Sequence, residues 1–400
     1  MFLTRKIRTF LGQKKHLFSS HLFSSKEFPM KFSVGSSELL KVLTKASTVI
    51  PSKSTLPILE NYLLELTKDE LRVTATDLEI SISTTLKVNG ERDGKIAVPA
   101  KRIVETMRAL PNIPVQFTAD ISSNKITLST NSGEYKMTGE SSDEYPTTAQ
   151  FKGTEDITIN SELFARIIGR TSFAVSTDEL RPAMMGVLMQ IRKNELRAVA
   201  TDGHRLVRMT DTAFRSPKLE REIIIPAKAL NVISKSLEEN ANTLSIDTSY
   251  IKFNFGSTVV ISRLIEEKYP NYEAVIPTDN EKIMTVEKNA LLTAVRRIAL
   301  YASTTTHQVR FTMKKNTVVI SAEDVDFGSE ANESIACQYT AEPMEIGFNA
   351  SYIIDILSHV ESDEVALSLS SPTRAGIVKP AQQKEGEDLL MLVMPVRLNA

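Results

Sequence analysis

The run Asp202-Gly203-His204-Arg205 places a carboxylate, an imidazole and a guanidinium within four residues, the groups that proton transfer beside a bound anion would need. A related segment elsewhere in the chain tests that chemistry. Thr76-Asp77-Leu78-Glu79 keeps the Thr-Asp of Thr201-Asp202 but has neither the histidine nor the arginine. The shared Thr-Asp is therefore expected to shape a turn, and His204 and Arg205 to serve something particular to the second copy. No Gly-rich phosphate loop is present, and no catalytic residue is expected.

Metal chemistry has even less to work with. His16, His21, His204, His307 and His359 do not pair at ligand spacing, and the single Cys337 rules out an internal disulfide or a cysteine zinc cage. No metal or cofactor is expected, and a reducing, cytoplasmic compartment fits the cysteine usage.

A third candidate chemistry is contact with phosphate. Leu39, Val42, Leu43 and Ala46 form one apolar stripe at helical spacing, with Ser37 as the expected N-cap, and Lys41 and Lys45 lie on the opposite side. The pattern returns downstream. Phe164, Ile167 and Ile168 oppose Arg166 and Arg170, and Leu291, Ala294, Val295 and Ile298 oppose Thr293 and Arg297, with Arg296 alongside. A second helix in each copy sets Ile103, Met107 and Leu110 against Lys101 and Arg108, then Leu230, Ile233 and Leu237 against Lys228 and Lys235; its third copy carries Ser351 and Ser358 instead. Five of six equivalent helices thus show basic outer faces, as expected for a polyanion partner. No helix-turn-helix, zinc finger or aromatic-rich stacking strand stands out, so the expected contact is electrostatic and blind to base sequence.

These helices belong to a threefold repeat. Leu71-Arg-Val-Thr-Ala-Thr-Asp77, Leu196-Arg-Ala-Val-Ala-Thr-Asp202 and Val318-Val-Ile-Ser-Ala-Glu-Asp324 are 125 and 122 residues apart. Ala100, Ala227 and Ala350 keep the same beat within Val-Pro-Ala-Lys, Ile-Pro-Ala-Lys and Phe-Asn-Ala-Ser, as do Tyr145-Pro146, Tyr269-Pro270 and Met394-Pro395. A period this long exceeds solenoid repeats of about 20–50 residues, so each copy is expected to be a domain with its own core. Alternating segments such as 71–82 and 125–130 predict strands, and Asn89-Gly90 and Asp93-Gly94 predict turns. The expected fold is α+β, with three similar domains in tandem at 30–150, 151–280 and 281–400, each carrying two helices on antiparallel sheets.

Residues 1–29 stand apart. They hold six basic residues and one acid, so removing them leaves 42 basic and 48 acidic residues, a formal charge of −6. This basic, Ser-rich leader could be a transit peptide, but a disordered tail or an upstream start is favoured because Met30-Lys-Phe-Ser-Val already reads as a first strand. Charged residues interrupt every apolar run before the roughly 18 residues that a membrane span needs.

From Met30 to Leu398 the chain resembles the bacterial DNA polymerase III beta subunit, or beta sliding clamp, family. The resemblance rests on Thr55-Leu-Pro-Ile-Leu59, Ala75-Thr-Asp-Leu-Glu79, Ala200-Thr-Asp-Gly-His-Arg-Leu206, Met344-Glu-Ile-Gly-Phe-Asn349 and the terminal Met394-Pro-Val-Arg-Leu398, in that order. It implies a head-to-tail homodimer forming a ring around duplex DNA, without catalysis, which tethers the replicative polymerase, the clamp loader and repair proteins through short linear peptides. A nucleoid-associated bacterial protein is implied.

The same resemblance carries residue roles. Lys53 corresponds to a DNA-contacting position, and Tyr135, Leu300 and Tyr301 correspond to the dimer seam. A peptide pocket is implied at Met184, Gly186, Thr201, Gly203, His204, Arg205 and Leu206 of the second domain, with Pro270 and Val275 of the link. Its other wall is implied at Leu392, Val393, Met394, Pro395, Val396, Arg397 and Leu398. Ala274 departs from the arginine common in the family, and Pro182-Ala183 replaces an aromatic pair tied to DNA contact. A three-domain scaffold binding only proteins is the competing reading, and the basic helix faces argue against it.

Overall fold

The structure, a computed structural model, describes residues 29–147, 151, 155–217, 219–237 and 242–398. The leader expected at 1–29 therefore lies outside the described residues, apart from Pro29. Six α-helices are described: α1 Ser36–Ala46, α2 Ala100–Ala109, α3 Ser161–Thr171, α4 Ala227–Ser234, α5 Lys288–Ile298 and α6 Ala350–Ser358. Their apolar stripes are buried as the spacing predicts, including Leu39, Val42, Leu43 and Ala46 in α1 and Leu291, Ala294, Val295 and Ile298 in α5. Each such Leu, Ile or Val contributes about 1.5–3 kcal/mol by leaving water. Within each domain the two helices pack together, α1 on α2, α3 on α4 and α5 on α6.

Three local expectations are corrected. The residue before α1 is Gly35 and no side chain caps the helix; Ser36, not Ser37, anchors its start by donating to Pro111 O at 2.7 Å and accepting from Ile113 N–H at 3.1 Å. Asn89-Gly90 lies in the short strand Asn89–Arg92 rather than a turn, because it pairs with the first strand, Met30–Gly35. The 71–82 stretch is two strands, Glu70–Thr76 and Ile80–Lys87, parted by a turn at 77–79.

Every strand pair is antiparallel; the second domain supplies two quartets of strands, and the first and third each supply one quartet and one set of five. In the first domain the set of five ends in Glu134–Thr138 and the quartet in Ile80–Lys87. The corresponding last strands are Thr258–Arg263 and Arg205–Asp211 in the second domain, and Glu387–Val393 and Ser329–Ala336 in the third. Neighbouring domains join through these last strands. Ile80–Lys87 pairs with Thr258–Arg263, making an eight-stranded sheet, and Arg205–Asp211 pairs with Glu387–Val393, making a nine-stranded one. The main core runs continuously through all three domains beneath these sheets, with Phe32 stacked on Phe117 and Phe164 on Phe253. Two last strands remain as sheet edges: Glu134–Thr138 at one end of the chain and Ser329–Ala336 at the other.

Candidate functional site

The turn at Asp202 follows from side-chain geometry. Asp202 Oδ1 accepts from the N–H groups of His204 and Arg205, both at 2.9 Å, while Thr201 Oγ1 donates to Arg205 O at 2.6 Å. Gly203 supplies the left-handed backbone the turn requires, at φ +90°. Asp77 repeats the motif, accepting from Glu79 and Ile80 N–H at 3.0 and 2.7 Å, and Thr76 donates to Ile80 O at 2.9 Å. The shared Thr-Asp is thus a turn cap, and the Asp202 carboxylate is occupied by backbone and by Arg205 rather than by the His204 ring.

His204 instead lies against Tyr352 of α6, with ring centroids 5.9 Å apart. Arg205 is buried between the second and third domains. Its Nε donates to Asp202 Oδ2 at 3.0 Å, Nη1 to Asp355 Oδ2 at 2.5 Å and Nη2 to Phe173 O at 2.9 Å. The guanidinium carbon lies 5.2 Å from the Phe173 ring centre and 4.9 Å from that of Tyr352.

The carboxyl-terminal residues expected at the pocket divide into the end of a buried strand and a more exposed tail. Glu387–Val393 is an inner strand of the nine-stranded sheet, buried on both faces, so Leu392 and Val393 are not exposed tail residues. Helices cover one face of this strand, while Leu188, Val199, Leu206, Tyr272, Leu390 and Leu392 form a separate cluster on the other. The chain then crosses the domain junction. Met394 N–H donates to His204 O at 2.8 Å, and Val396 N–H to Gly347 O at 2.9 Å. A Cβ at Gly347 would lie only 2.8 Å from both Val396 O and Leu398 Cδ2, so glycine admits this close docking. Met184, Gly186, Thr201, Leu206 and Leu392 are buried, whereas Gly203, His204, Pro270, Val275, Met394 and Arg397 are exposed along the same junction, with Pro395, Val396 and Leu398 half-buried.

The Tyr-Pro landmarks also find a cause. Tyr145 OH donates to Thr74 O and Tyr269 OH to the repeat-equivalent Val199 O, each at 3.3 Å, and burial raises both phenols above their ordinary pKa. Met394 has no hydroxyl for such a bond, and at 41% exposure its side chain remains at the surface.

The basic helix faces do not behave alike. Lys41, Lys101, Arg108, Lys228, Lys235, Arg296 and Arg297 are exposed, as is Lys53 in the loop after α1. Lys41 and Lys45 of the first domain share the rim of one surface hollow with Lys235 of the second. Arg166 and Arg170 are corrected: they do not form a solvent-facing basic face. Arg170 is 7% exposed, and both arginines bond the buried carboxylate of Glu387 at 2.9–3.0 Å, Arg170 also holding Glu361. The edge of α3 that carries Arg166 and Arg170 meets the third domain, while Glu162, Ala165 and Gly169 on its outer face stay exposed. Lys228 pairs with Asp77 across the first junction, Arg297 with Glu333, and Arg296 donates to Ser358 Oγ at 3.2 Å.

Tyr135, Leu300 and Tyr301 are exposed apolar side chains, Leu300 at 82%. Tyr135 lies in the edge strand Glu134–Thr138, while Leu300 and Tyr301 follow α5. Ala274, Pro182 and Ala183 lie at or near the surface, in the link and in the turn before Gly186–Arg192.

Sequence reasoning missed Phe173, Tyr352, Asp355, Glu361 and Glu387. One signal was available: α6 alone of the six helices carries Ser351 and Ser358 where others are basic, and that helix supplies Tyr352 and Asp355 to the junction.

Three domain families match in order: the DNA polymerase III beta subunit N-terminal domain over residues 30–149, its central domain over 158–271 and its C-terminal domain over 273–397. A beta sliding clamp of Synechococcus elongatus is 30% identical over 380 residues, covering 93% of this chain and all of the relative. The chain belongs to the beta sliding clamp family. A Chlamydia muridarum beta sliding clamp is 28% identical over 371 residues, 92% of this chain and all of the relative. The crystal structure of a Pseudomonas aeruginosa sliding clamp bound to griselimycin shares the fold at a TM-score of 0.86 and 26% identity, covering 92% of this chain and all of that one. The clamp is thus built as three tandem domains of helices on antiparallel sheets. Among the described residues no helix is long and apolar enough to cross a membrane, and no three His, Cys, Asp or Glu side chains group as metal ligands.

Proposed function

We propose that this clamp closes with a second copy, head to tail, into a ring around duplex DNA, and that it acts without catalysis as a cytoplasmic processivity factor. One observation carries the reading: the two last strands that keep an open edge among the described residues are the repeat equivalents of those that join the domains within the chain. Glu134–Thr138 of one copy meeting Ser329–Ala336 of another would repeat the internal junction and remove both edges, each otherwise open to mispairing. The domain limits 30–150, 151–280 and 281–400 follow the same repeat.

Lys41, Lys45, Lys53, Lys101, Arg108, Lys235 and Arg296 then supply sequence-independent phosphate contacts, weak enough singly to permit sliding. The groove along His204, Val275 and Met394 takes short linear peptides from the polymerase, the clamp loader and repair proteins. Solution mass tests closure: about twice 44.4 kDa is expected at micromolar concentration. Retention on circular DNA with loss from linear DNA of the same sequence tests encirclement, and equal retention on both would reject it.

A further inference from the structure

We propose that Arg205 is a positioning residue of the peptide site, fixing the wall formed by Tyr352, His204 and Met394 instead of binding the peptide itself. The inference rests on the peptide-site reading above. Its first support is the donor inventory. Each guanidinium nitrogen already donates, Nε to Asp202, Nη1 to Asp355 and Nη2 to the Phe173 carbonyl, at 3.0, 2.5 and 2.9 Å. Two aromatic rings also lie against the guanidinium, Phe173 at 5.2 Å and Tyr352 at 4.9 Å from its carbon. Three of its five N–H groups are thus engaged and the side chain is only 10% exposed, which leaves little of the fork open to a peptide carboxylate.

The second support is where these contacts lead. Arg205 and Phe173 belong to the second domain, Tyr352 and Asp355 to α6 of the third, so the guanidinium joins the two domains that flank the groove. Beyond Tyr352 comes the His204 ring, at 5.9 Å and within 15° of parallel, and His204 O holds Met394 N–H at 2.8 Å. Beyond Phe173 comes His359, stacked at 3.9 Å, whose Nδ1 lies 2.7 Å from Asp355 O and so returns to the helix turn that binds Arg205. A planar cation packed against two rings constrains their orientations in a way that a lysine ammonium cannot.

The test uses the full-length protein and two fluorescent peptides copied from the polymerase subunit, identical except that one carries a glutamate where the other has glutamine. Arg205→Lys is expected to weaken both peptides equally, by about tenfold or more, through faster dissociation. The His204 Hε1 NMR signal should move in the peptide-free variant as the stack on Tyr352 is lost. Asp355→Asn, at a residue whose carboxylate is engaged by Arg205, should weaken both peptides in the same direction. If Arg205→Lys costs only the glutamate peptide, or leaves both affinities and the His204 signal unchanged, Arg205 is not a positioning residue. Should Arg205→Lys fail to fold, Asp355→Asn decides alone: unchanged affinity for both peptides overturns the proposal. Failure of the peptide-site reading is distinct, since the wild-type protein would then bind neither peptide.

Discussion

Glu387 and Arg170 stand 217 residues apart in the chain, yet their side chains meet at 3.0 Å with almost no exposure to solvent. Glu387 opens the last strand of the third domain and also bonds Arg166 of α3, so one carboxylate gathers two arginines from the neighbouring domain. Removing the acid leaves Arg166 without its carboxylate and the buried Arg170 with only the exposed Glu361. Glu387→Ala should therefore cost roughly 3–5 kcal/mol, read as a lower urea midpoint for the unfolding step that includes the junction of the second and third domains. A loss below about 1 kcal/mol, as for a surface pair, would mean that the cluster is solvated in solution.

The same geometry separates two pairs of basic residues that look equivalent in sequence. Lys41→Glu with Lys45→Glu should weaken retention on DNA of any sequence and reduce the salt slope by roughly 0.9 per lost phosphate contact. Arg166→Gln with Arg170→Gln should lower stability and leave the salt slope of the folded fraction near its original value. Retention measured against salt concentration, beside melting curves, distinguishes them; equal slope changes in both variants would contradict the reassignment.

Ring closure has a specific register. The internal junctions place Ile82 opposite Val260 and Val207 opposite Met391. Within their own sheets Ile82, Val207 and Ala331 face the equivalent alanines Ala75, Ala200 and Ala322, while Val260, Met391 and Tyr135 face Phe253, Val378 and Leu128. Tyr135 of one copy should thus lie opposite Ala331 of the other. Tyr135→Cys with Ala331→Cys should form an intermolecular disulfide on oxidation, directly opposed strand residues being about 4.5–5.5 Å apart at Cα. Buried Cys337, its thiol pKa raised by desolvation, should not compete. Cross-linking from Ser329 in place of Ala331 would show a different register. Leu300→Asp with Tyr301→Asp should yield a monomer by mass.

Deleting residues 394–400 should abolish binding of a polymerase-derived peptide while dimer mass and retention on circular DNA persist. The strand Glu387–Val393 ends before the deletion, so the sheet that joins the second and third domains remains whole. Peptide affinity surviving in a dimeric deletion variant would relocate the site.

Alkaline pH should destabilise the fold through its buried tyrosines. Desolvation raises the phenols of Tyr62, Tyr145 and Tyr269, so their neutral forms are the ones the folded state favours. A raised pKa contributes stability that is complete below the unfolded value of about 10 and is lost as pH climbs from there towards the folded value. The urea midpoint should fall steeply above about pH 10. Tyr145→Phe with Tyr269→Phe should flatten that fall, at a cost of about 1 kcal/mol for each hydroxyl bond lost at lower pH. An unchanged alkaline slope would assign the transition to other groups.

The sequence by itself determined the threefold repeat, the buried stripe of every helix and the turn-forming role of Thr76-Asp77 and Thr201-Asp202. These depend on periodicity and on neighbours within four residues, where side-chain direction follows from backbone geometry. Periodicity also says which face of a helix turns away from its own core, but not what lies beyond that face. Only the tertiary structure decided that water lies beyond Lys41 while Glu387 lies beyond Arg170, and that Arg205 is enclosed by Phe173 and Tyr352. The physical reason is that the joined sheets bring the domains' helices edge to edge, so a residue outside one domain's core can be inside the junction with the next.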